Sequence, residues 1–231
     1  RGIPHHLLDV REPDQVFTAG EYAASARPVL RDIARRGRLP VLAGGTGFYL
    51  RALLEGLFPG PGRDEALRAR LAAREQRRPG SLHRLLTRFD PQAARRIHAH
   101  DGPKLIRALE IRLVTRRPLS ECFQAGRDRL EGFRVLKIGL SPDRQALYRR
   151  LELRLDRMFE AGLVEEVKRI LALGYSPEIK PFESHGYRQA VQWLRGELTL
   201  QEALLYAKRN TRRYAKRQLT WFRHEPGVEW F

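Results

Sequence analysis

The stretch Leu39-Pro40-Val41-Leu42-Ala43-Gly44-Gly45-Thr46-Gly47-Phe48-Tyr49-Leu50 is the most informative part of the chain. Its apolar start predicts a short buried strand over residues 39–43, and its end predicts the first turn of a helix. The glycine turn between them, residues 44–47, carries one hydroxyl, that of Thr46. A strand that enters such a turn before a helix exposes backbone N–H groups at the positive end of the helix dipole, which suits a phosphate. The alternative is a tight turn that serves packing alone.

The composition favours a folded domain with a polyanionic partner. The chain has 231 residues, of which 42% are hydrophobic, and this is enough for a substantial core. Lys and Arg number 44 against 27 Asp and Glu, so the formal net charge is +17. Such an excess favours nucleic acid as the partner, with a solvated basic surface as the alternative.

Cysteine content and hydropathy argue against two classes of protein. Cys122 is the single cysteine, which excludes a disulfide framework or a cysteine zinc site within one chain and favours a reducing compartment. No apolar run is long enough to span a membrane, and there is no signal-peptide pattern. We therefore expect a cytoplasmic protein with no membrane partner.

The order of the predicted elements indicates an α/β core. Thr18 and Glu21 have the spacing of a capping box, so a helix is predicted to begin there, and Pro28 is predicted to kink or split it. The strand over residues 39–43 follows this helix. A second strand is predicted over residues 133–140, where apolar and polar side chains alternate. Strands separated by helices imply a parallel sheet.

The middle of the chain has a different character. Pro59-Gly60-Pro61-Gly62 is typical of a linker, and from Asp64 to about Cys122 the apolar spacing is helical. We predict a helical insertion domain at residues 61–126, with residues 1–60 and 127–231 forming the core. The second core segment is predicted to contain a long helix that starts at Ser141-Pro142-Asp143, followed by further helices.

The C-terminal helix carries the strongest indication of RNA binding. Arg209, Arg213 and Arg217 are spaced to share one helix face, where like charges repel one another unless an anion is present. Arg223 follows, with Trp221 close by in the sequence. Basic side chains neutralise phosphates and aromatic rings stack on unpaired bases. A solvated basic face with the aromatic residues in the core is the alternative.

Two further basic positions are candidates for anion binding. Arg154 lies between Leu151 and Leu155, at the edge of the predicted apolar face of the long helix, so it needs an acid or a phosphate as partner. The run Pro103-Lys104-Leu105-Ile106-Arg107 is a second basic element, for which a plain surface helix is an equally good explanation. The 7 histidines show no metal-ligand spacing, and Gly-x-Ser-x-Gly, Cys–His and P-loop motifs are absent from the sequence.

Taken together, several stretches resemble the tRNA dimethylallyltransferase (tRNA isopentenyltransferase) family. The glycine turn at residues 44–47 and the stretch at residues 216–223 are highly specific in combination. In family order, the matching stretches are His5-His6-Leu7-Leu8-Asp9-Val10, residues 39–57, Asp90-Pro91, Arg96-Ile97-His98, Lys104-Leu105-Ile106-Arg107-Ala108-Leu109-Glu110, Gly186-Tyr187-Arg188-Gln189 and Lys216-Arg217-Gln218-Leu219-Thr220-Trp221-Phe222-Arg223.

The resemblance implies a fold and an activity. The family fold resembles a P-loop NTPase, with a parallel-sheet core and a helical insertion. Its members transfer a dimethylallyl group from dimethylallyl diphosphate to N6 of an adenosine beside the tRNA anticodon, with Mg²⁺ assisting and the target base flipped out. The implied partners are the tRNA anticodon stem-loop and dimethylallyl diphosphate, and we expect a monomer.

The resemblance also implies site residues. Thr46 matches a threonine near the reacting groups and Arg154 an arginine that steadies the diphosphate, so these are the expected catalytic residues, and no metal ligand is expected in this chain. The expected diphosphate-binding residues are Gly44, Gly45, Thr46 and Arg154. The expected tRNA-binding residues are Arg68, Pro103, Lys104, Leu105, Ile106, Arg107, Gly186, Tyr187, Arg188, Lys216, Arg217, Gln218, Thr220, Trp221 and Arg223.

The family pattern contains two elements that this sequence lacks. Its P-loop, with a lysine and a Ser/Thr, and the aspartate that acts as general base would both precede Arg1. We therefore expect an N-terminally truncated enzyme whose 231 residues alone have negligible transferase activity. The alternatives are a non-catalytic tRNA-binding fragment and a prenyltransferase of free adenine nucleotides. The long basic C-terminal segment argues against the second of these.

Overall fold

The computed structural model describes residues 2–58, 60–122 and 127–231, which are mainly helical. No helix among these residues is both long and apolar enough to cross a membrane. The strands are β1 (Lys137–Gly139) and β2 (Val228–Trp230), and a 3₁₀ turn spans Lys180–Glu183. The helices are α1 (Ala19–Arg35), α2 (Gly47–Glu55), α3 (Glu65–Arg77), α4 (Ser81–Phe89), α5 (Pro91–Arg96), α6 (Gly102–Thr115), α7 (Leu119–Cys122), α8 (Arg144–Glu160), α9 (Leu163–Ala172), α10 (Tyr187–Leu194) and α11 (Leu200–Arg223).

The chain forms two compact units. The core unit consists of the residues up to Leu53 together with Gly132–Phe231, and it contains α1, most of α2, both strands and α8–α11. The helical unit, Leu54–Glu131, contains α3–α7. The division into residues 1–60, 61–126 and 127–231 stays a prediction about which segments act together.

The two strands pair in parallel, as the predicted core requires. Lys137 lies opposite Val228 and Gly139 lies opposite Trp230. A Cβ on Gly139 would lie 2.7 Å from the Trp230 ring, so glycine permits this close approach. The strand predicted over residues 133–140 is shorter than expected. The second strand was not predicted, because three residues are too few to show an alternating pattern.

The strand predicted over residues 39–43 is not formed, and this prediction was wrong. Leu39 is 84% exposed and Val41 is 76% exposed. No residue of this segment pairs in a ladder with another residue in the part of the chain that the structure describes. A strand forms only where its N–H and C=O groups meet those of a neighbouring strand, so the apolar pattern alone did not produce one.

Helix α1 begins as predicted but is not split. The Thr18 side chain accepts a hydrogen bond from the Glu21 N–H at 3.2 Å, and the Glu21 carboxylate accepts one from the Thr18 N–H at 2.8 Å. Pro28 lies inside the continuous helix, so of the two predicted outcomes, a kink or a split, the split does not occur. Tertiary packing of the buried residues Ala19, Ala23 and Ala26 stabilises the helix despite one lost hydrogen bond.

Helix α8 starts two residues later than the sequence pattern predicts. Asp143 is its N-cap and accepts a hydrogen bond from the Ala146 N–H at 2.9 Å. Ser141, the predicted cap, instead donates its N–H to the Phe231 carbonyl at 2.8 Å and so continues the parallel pairing. The competing bond to the C-terminal residue explains the shift.

Each unit has its own apolar interior. In the core unit, α9 and α10 pack around Val167 and Ala190, both of which are completely buried. α11 packs against α8 and α10 and so lies beside this interior. In the helical unit, the completely buried residues are Leu82, Leu86, Leu105, Ala108, Leu109, Glu110 and Ile111.

Candidate active site

The glycine turn packs directly against α11. The Gln218 side chain donates a hydrogen bond from Nε2 to the Gly45 carbonyl at 3.0 Å. A Cβ on Gly47 would lie 2.1–2.4 Å from atoms of the six-membered ring of Trp221, and one on Gly45 would lie 2.1 Å from Gln218 Nε2. The two stretches that are most specific in the sequence therefore form one packed site. Sequence analysis did not predict this contact.

Thr46 precedes α2 and leaves its side chain exposed. The Thr46 carbonyl accepts hydrogen bonds from the N–H groups of Tyr49 and Leu50, at 2.9 and 3.2 Å. Its hydroxyl has no hydrogen-bond partner among the described residues, and Gly44, two residues earlier, is also exposed. The first N–H groups of a helix have no partner within the helix. The turn thus offers a hydroxyl and backbone donors at the positive end of a helix dipole.

A basic groove of about 540 Å³ lies beside the turn in the core unit. The guanidinium of Arg51 lies over the Trp221 ring, 4.8 Å from the ring centroid, and Trp221 meets Phe222 edge-to-face at 4.8 Å. Sequence analysis missed Arg51, although its position four residues after Gly47 places the two on one helix face. The groove is lined by Arg51, Lys216, Arg217, Thr220, Trp221 and His224.

A buried carboxylate binds Arg51, one of the residues that line the groove. Glu225, of which 7% of the side chain is exposed, accepts hydrogen bonds from Arg51 Nη2 at 2.7 Å and from Lys137 Nζ at 2.8 Å. Burial alone would raise the pKa of Glu225, but the hydrogen bonds from Lys137 and Arg51 outweigh it and lower that pKa below its usual value. Glu225 is therefore an anion between two cations at neutral pH.

Some basic side chains of α11 pair with acids of α8, and others are exposed. Lys208 and Arg212 pair with Asp156 and Glu152 of α8, the first pair at 2.6 Å, so these two cations serve helix packing. Arg209, Arg213 and Arg217 are exposed, as their spacing predicts. Together with Lys216 and Arg223, they form no ion pair with any residue in the described ranges. This cluster of exposed cations is suited to an anionic partner.

Arg154 does not occupy the environment that the sequence predicts. It was expected at the edge of an apolar face, where it would need a partner. It is instead exposed and forms no hydrogen bond or ion pair with another described residue. Leu155 is buried and Leu151 is half-buried, so α8 presents a narrower apolar face than expected. The desolvation argument for Arg154 was therefore wrong, and its role rests on the resemblance alone.

In the helical unit, two predicted tRNA-binding arginines converge on a buried acid. Arg68 donates to both oxygens of Glu110, with Nε–Oε1 and Nη2–Oε2 distances of 2.8 Å. Arg107 Nη1 lies 2.6 Å from Oε2, and the Asp64 N–H donates to Oε1 at 2.8 Å. Burial would raise the pKa of Glu110, but the hydrogen bonds from Arg68 and Arg107 lower it to about 2.

The remaining predicted residues of α6 fall in different environments. Leu105 is completely buried in the core of the helical unit, so its side chain packs there and is not available to RNA, which corrects that prediction. Ile106 packs against the same core. Pro103 and Lys104 are exposed, and Lys104 pairs with Asp101 at 2.6 Å.

The segment before α10 is held in place by its own contacts. Gly186 has a φ of +96°, which favours glycine, and its N–H donates to the buried Gln189 side chain at 3.1 Å. The Tyr187 hydroxyl donates to Glu166 at 2.8 Å, and burial together with this bond raises the pKa of Tyr187 to about 12. Arg188 is exposed.

In the groove, the Thr220 hydroxyl donates a hydrogen bond to the Lys216 carbonyl at 2.9 Å.

Comparisons with known proteins identify relatives of the chain. The chain is 64% identical over 230 residues to the tRNA dimethylallyltransferase of Solibacter usitatus, covering 100% of this chain and 75% of that protein. It is 46% identical to the tRNA dimethylallyltransferase of Geobacter sulfurreducens, covering 99% of this chain and 74% of that protein.

Solved structures are also similar to the chain. The full-length tRNA isopentenylpyrophosphate transferase of Bacillus halodurans matches 100% of this chain and 72% of its own, with 38% identity and a TM-score of 0.66. A eukaryotic dimethylallyltransferase acting on tRNA matches 95% of this chain and 56% of its own, with 27% identity and a TM-score of 0.78. These matches confirm the predicted α/β fold with its helical insertion. The family model described as IPP transferase matches residues 1–225, and the chain belongs to the IPP transferase family.

Proposed function

We propose that this protein transfers a dimethylallyl group from dimethylallyl diphosphate to N6 of an adenosine next to the tRNA anticodon. The observation that carries the proposal is the packing of the glycine turn against α11 through Gly47 and Trp221. A turn suited to a phosphate and a groove suited to RNA therefore lie side by side within the core unit. Relatives named tRNA dimethylallyltransferase support the reaction class.

The turn is suited to stabilise the leaving group. In the transfer, the allylic C–O bond breaks and its electron pair leaves on the diphosphate, while N6 of the adenine forms the new N–C bond. Backbone N–H groups at the start of α2 and the Thr46 hydroxyl can donate to the oxygens on which negative charge builds. Arg154 is proposed to steady the same diphosphate. The amine proton must pass to a base, which is not among the residues assigned here.

Basic and aromatic side chains are proposed to hold the tRNA anticodon stem-loop. In the core unit, the groove cations suit backbone phosphates and Trp221 suits an unstacked base. A base beside the anticodon must leave its stack before N6 can reach the prenyl donor. The further proposed tRNA contacts are Arg68, Pro103, Lys104, Ile106, Arg107, Gly186, Tyr187, Arg188, Lys216, Arg217, Gln218, Thr220 and Arg223.

Mg²⁺ is proposed as the assisting ion. The described residues bring together no group of three or more His, Cys, Asp and Glu side chains suited to a metal. Mg²⁺ characteristically keeps several waters and binds through substrate phosphates and few protein oxygens, so such a group is not required. When bound, the ion would neutralise the negative charge that builds on the diphosphate. We also propose a cytoplasmic location, because the single cysteine favours a reducing compartment, and a monomer, as expected from the resemblance.

Replacing Thr46 by alanine should slow transfer with little effect on folding. The exposed hydroxyl supports no packing, while loss of one donor to a developing anion lowers kcat by about 10²–10³-fold. Single-turnover transfer from labelled dimethylallyl diphosphate to an anticodon stem-loop, using the full-length protein, measures this. Thr46→Ser keeps a hydroxyl and should recover most of the rate. Equal rates for the wild type and Thr46→Ala would contradict the role of Thr46.

Binding experiments distinguish the proposed activity from the two alternatives. We expect the full-length protein to bind an anticodon stem-loop with a steep salt dependence, and to bind AMP far more weakly, because several cations contact the RNA backbone. Binding without transfer of the labelled prenyl group would favour a non-catalytic RNA-binding protein. Prenylation of AMP as efficient as that of the stem-loop would instead favour a free-nucleotide prenyltransferase.

A further inference from the structure

Glu225 connects three elements of the core unit. It follows α11, and its two carboxylate oxygens bind Arg51 of α2 and Lys137 of β1, at 2.7 and 2.8 Å. Lys137 also donates to the Pro226 carbonyl at 3.1 Å. A side chain with only 7% exposure has little freedom to exchange these partners for water. The carboxylate therefore fixes the positions of two cations at once.

Arg51 links this carboxylate to the basic groove. Its guanidinium lies 4.8 Å from the centroid of the Trp221 ring and forms part of the groove lining. The same Trp221 ring packs against Gly47 in the glycine turn. A continuous set of contacts thus runs from Glu225 through Arg51 and Trp221 to the turn.

The charges explain why an acid is needed behind the groove. Without Glu225, Arg51 and Lys137 would repel each other across the space that the carboxylate occupies. An arginine binds a phosphate best when its planar fork is already oriented, because less rotamer freedom is then lost on binding. Glu225 supplies that orientation without occupying the groove lining itself.

We propose that Glu225 is a positioning residue for RNA: by holding Arg51 over Trp221 it orients a phosphate-binding guanidinium and ties the groove to the glycine turn. The proposal rests on the proposed function, since it assigns the groove to the RNA substrate. Arg51 is the residue that contacts an RNA phosphate, and Glu225 acts through it.

The expected effect of Glu225→Ala on RNA affinity is opposite in sign to the effect that simple electrostatics predicts. Glu225→Ala makes the protein more positive and releases Lys137, so long-range attraction alone would tighten RNA binding. We expect instead that the affinity for an anticodon stem-loop falls about tenfold, the equivalent of one charge-assisted hydrogen bond. Glu225→Gln keeps the shape and can bind one partner, so a smaller loss is expected.

The test is a salt series of stem-loop binding with the full-length protein. The plot of log affinity against log salt has a negative slope. Arg51→Ala and Glu225→Ala should each make that slope shallower by about 0.7–0.9, the value for one lost phosphate contact. The double variant should bind no more weakly than Arg51→Ala alone, since both changes remove the same contact. A purely structural role would lower the unfolding temperature and leave the slope unchanged.

Asp156→Asn is the matched control. It makes the same change in charge and releases Lys208, a cation of α11 that lies outside the groove. Its affinity for the stem-loop should stay the same or increase. The proposal is overturned if Glu225→Ala also binds the stem-loop as tightly as the wild type or more tightly. It is also overturned if the losses of affinity in Arg51→Ala and Glu225→Ala add in the double variant.

Two further outcomes are separated by the same set of proteins. Should Glu225→Ala fail to fold, Glu225→Gln supports the same comparison, with a normal affinity and slope as the contradicting result. Failure of the proposed function is visible in the wild type, as an absence of prenyl transfer to the stem-loop. Failure of the Glu225 proposal is visible only in the comparison between variants and wild type.

Discussion

Replacing Glu110 by alanine is expected to destabilise the helical unit by about 3–5 kcal/mol, because it leaves two arginines without their buried partner. Glu110 is completely buried and accepts four hydrogen bonds, from Arg68, Arg107 and the Asp64 N–H. Hydrogen exchange of the α6 amides in the full-length protein measures the free energy of opening this unit. Glu65→Gln is the matched control, since Glu65 is an acid of the same unit whose side chain is 64% exposed and pairs with Arg63.

The same carboxyl makes stability depend on acid pH. The pKa of Glu110 is about 2 in the folded state, below its ordinary value of 4.5. A lowered folded-state pKa gives stability that is fully present above pH 4.5 and is lost as the pH falls toward 2. That loss amounts to about 3 kcal/mol, and Glu110→Gln should abolish it. An unchanged pH profile in Glu110→Gln, or equal effects of Glu110→Ala and Glu65→Gln, would contradict the burial and pairing of this acid.

Replacing Gly47 by alanine is expected to slow prenyl transfer about a hundredfold, because displacing a catalytic element by about 1 Å has effects of that size. The new Cβ would lie 2.1 Å from the Trp221 ring, so either the ring or the turn would have to shift. The cost in stability should be about 1–3 kcal/mol, as for other overpacked interiors. Single-turnover transfer and equilibrium unfolding of the full-length protein measure the two effects separately.

Two other glycines give graded comparisons. The nearest atoms to a Cβ on Gly45 belong to the end of the flexible Gln218 side chain. Gln218 should therefore move aside at the loss of one hydrogen bond, and the rate should fall less than in Gly47→Ala. Gly62→Ala adds a methyl group in open space within the helical unit and should change neither property. An equal loss of rate in all three variants would show that the contact with Trp221 is not the cause.

Local signals in the sequence predicted the helices well. The Thr18–Glu21 spacing predicted both hydrogen bonds of a capping box. These features depend on residues within one turn of each other, so a single sequence contains the information. The exposed face of Arg209, Arg213 and Arg217 was predicted for the same reason.

Features that depend on distant partners were not predictable in this way. Residues 39–43 have a strand-like apolar pattern, yet a strand requires a neighbour that the pattern does not specify. Arg154 looked half-buried from its helical position, and the actual width of the packed face left it exposed. The role of Glu225 depends on two cations from α2 and β1, so nothing in its own surroundings in the sequence indicated it.

The candidate site shows the same division. The glycine turn and α11 were each selected from their residues, but their contact joins positions 173 residues apart and became visible only in the structure. Leu105 belongs to a basic stretch in the sequence, whereas its side chain is completely buried among the other apolar residues of the helical unit. The resemblance selected the segments, and the structure shows which of their side chains are exposed and which are buried.

The central claim is that the glycine turn and α11 act as one site through the contact between Gly47 and Trp221. Its most direct test is the single-turnover rate of prenyl transfer in Gly47→Ala, Trp221→Phe and the double variant. The clashing atoms belong to the six-membered ring of Trp221. We expect the smaller phenyl ring to leave room for the new methyl group. We predict that the double variant transfers faster than Gly47→Ala alone. A double variant slower than either single variant, with losses that add, would contradict the claim.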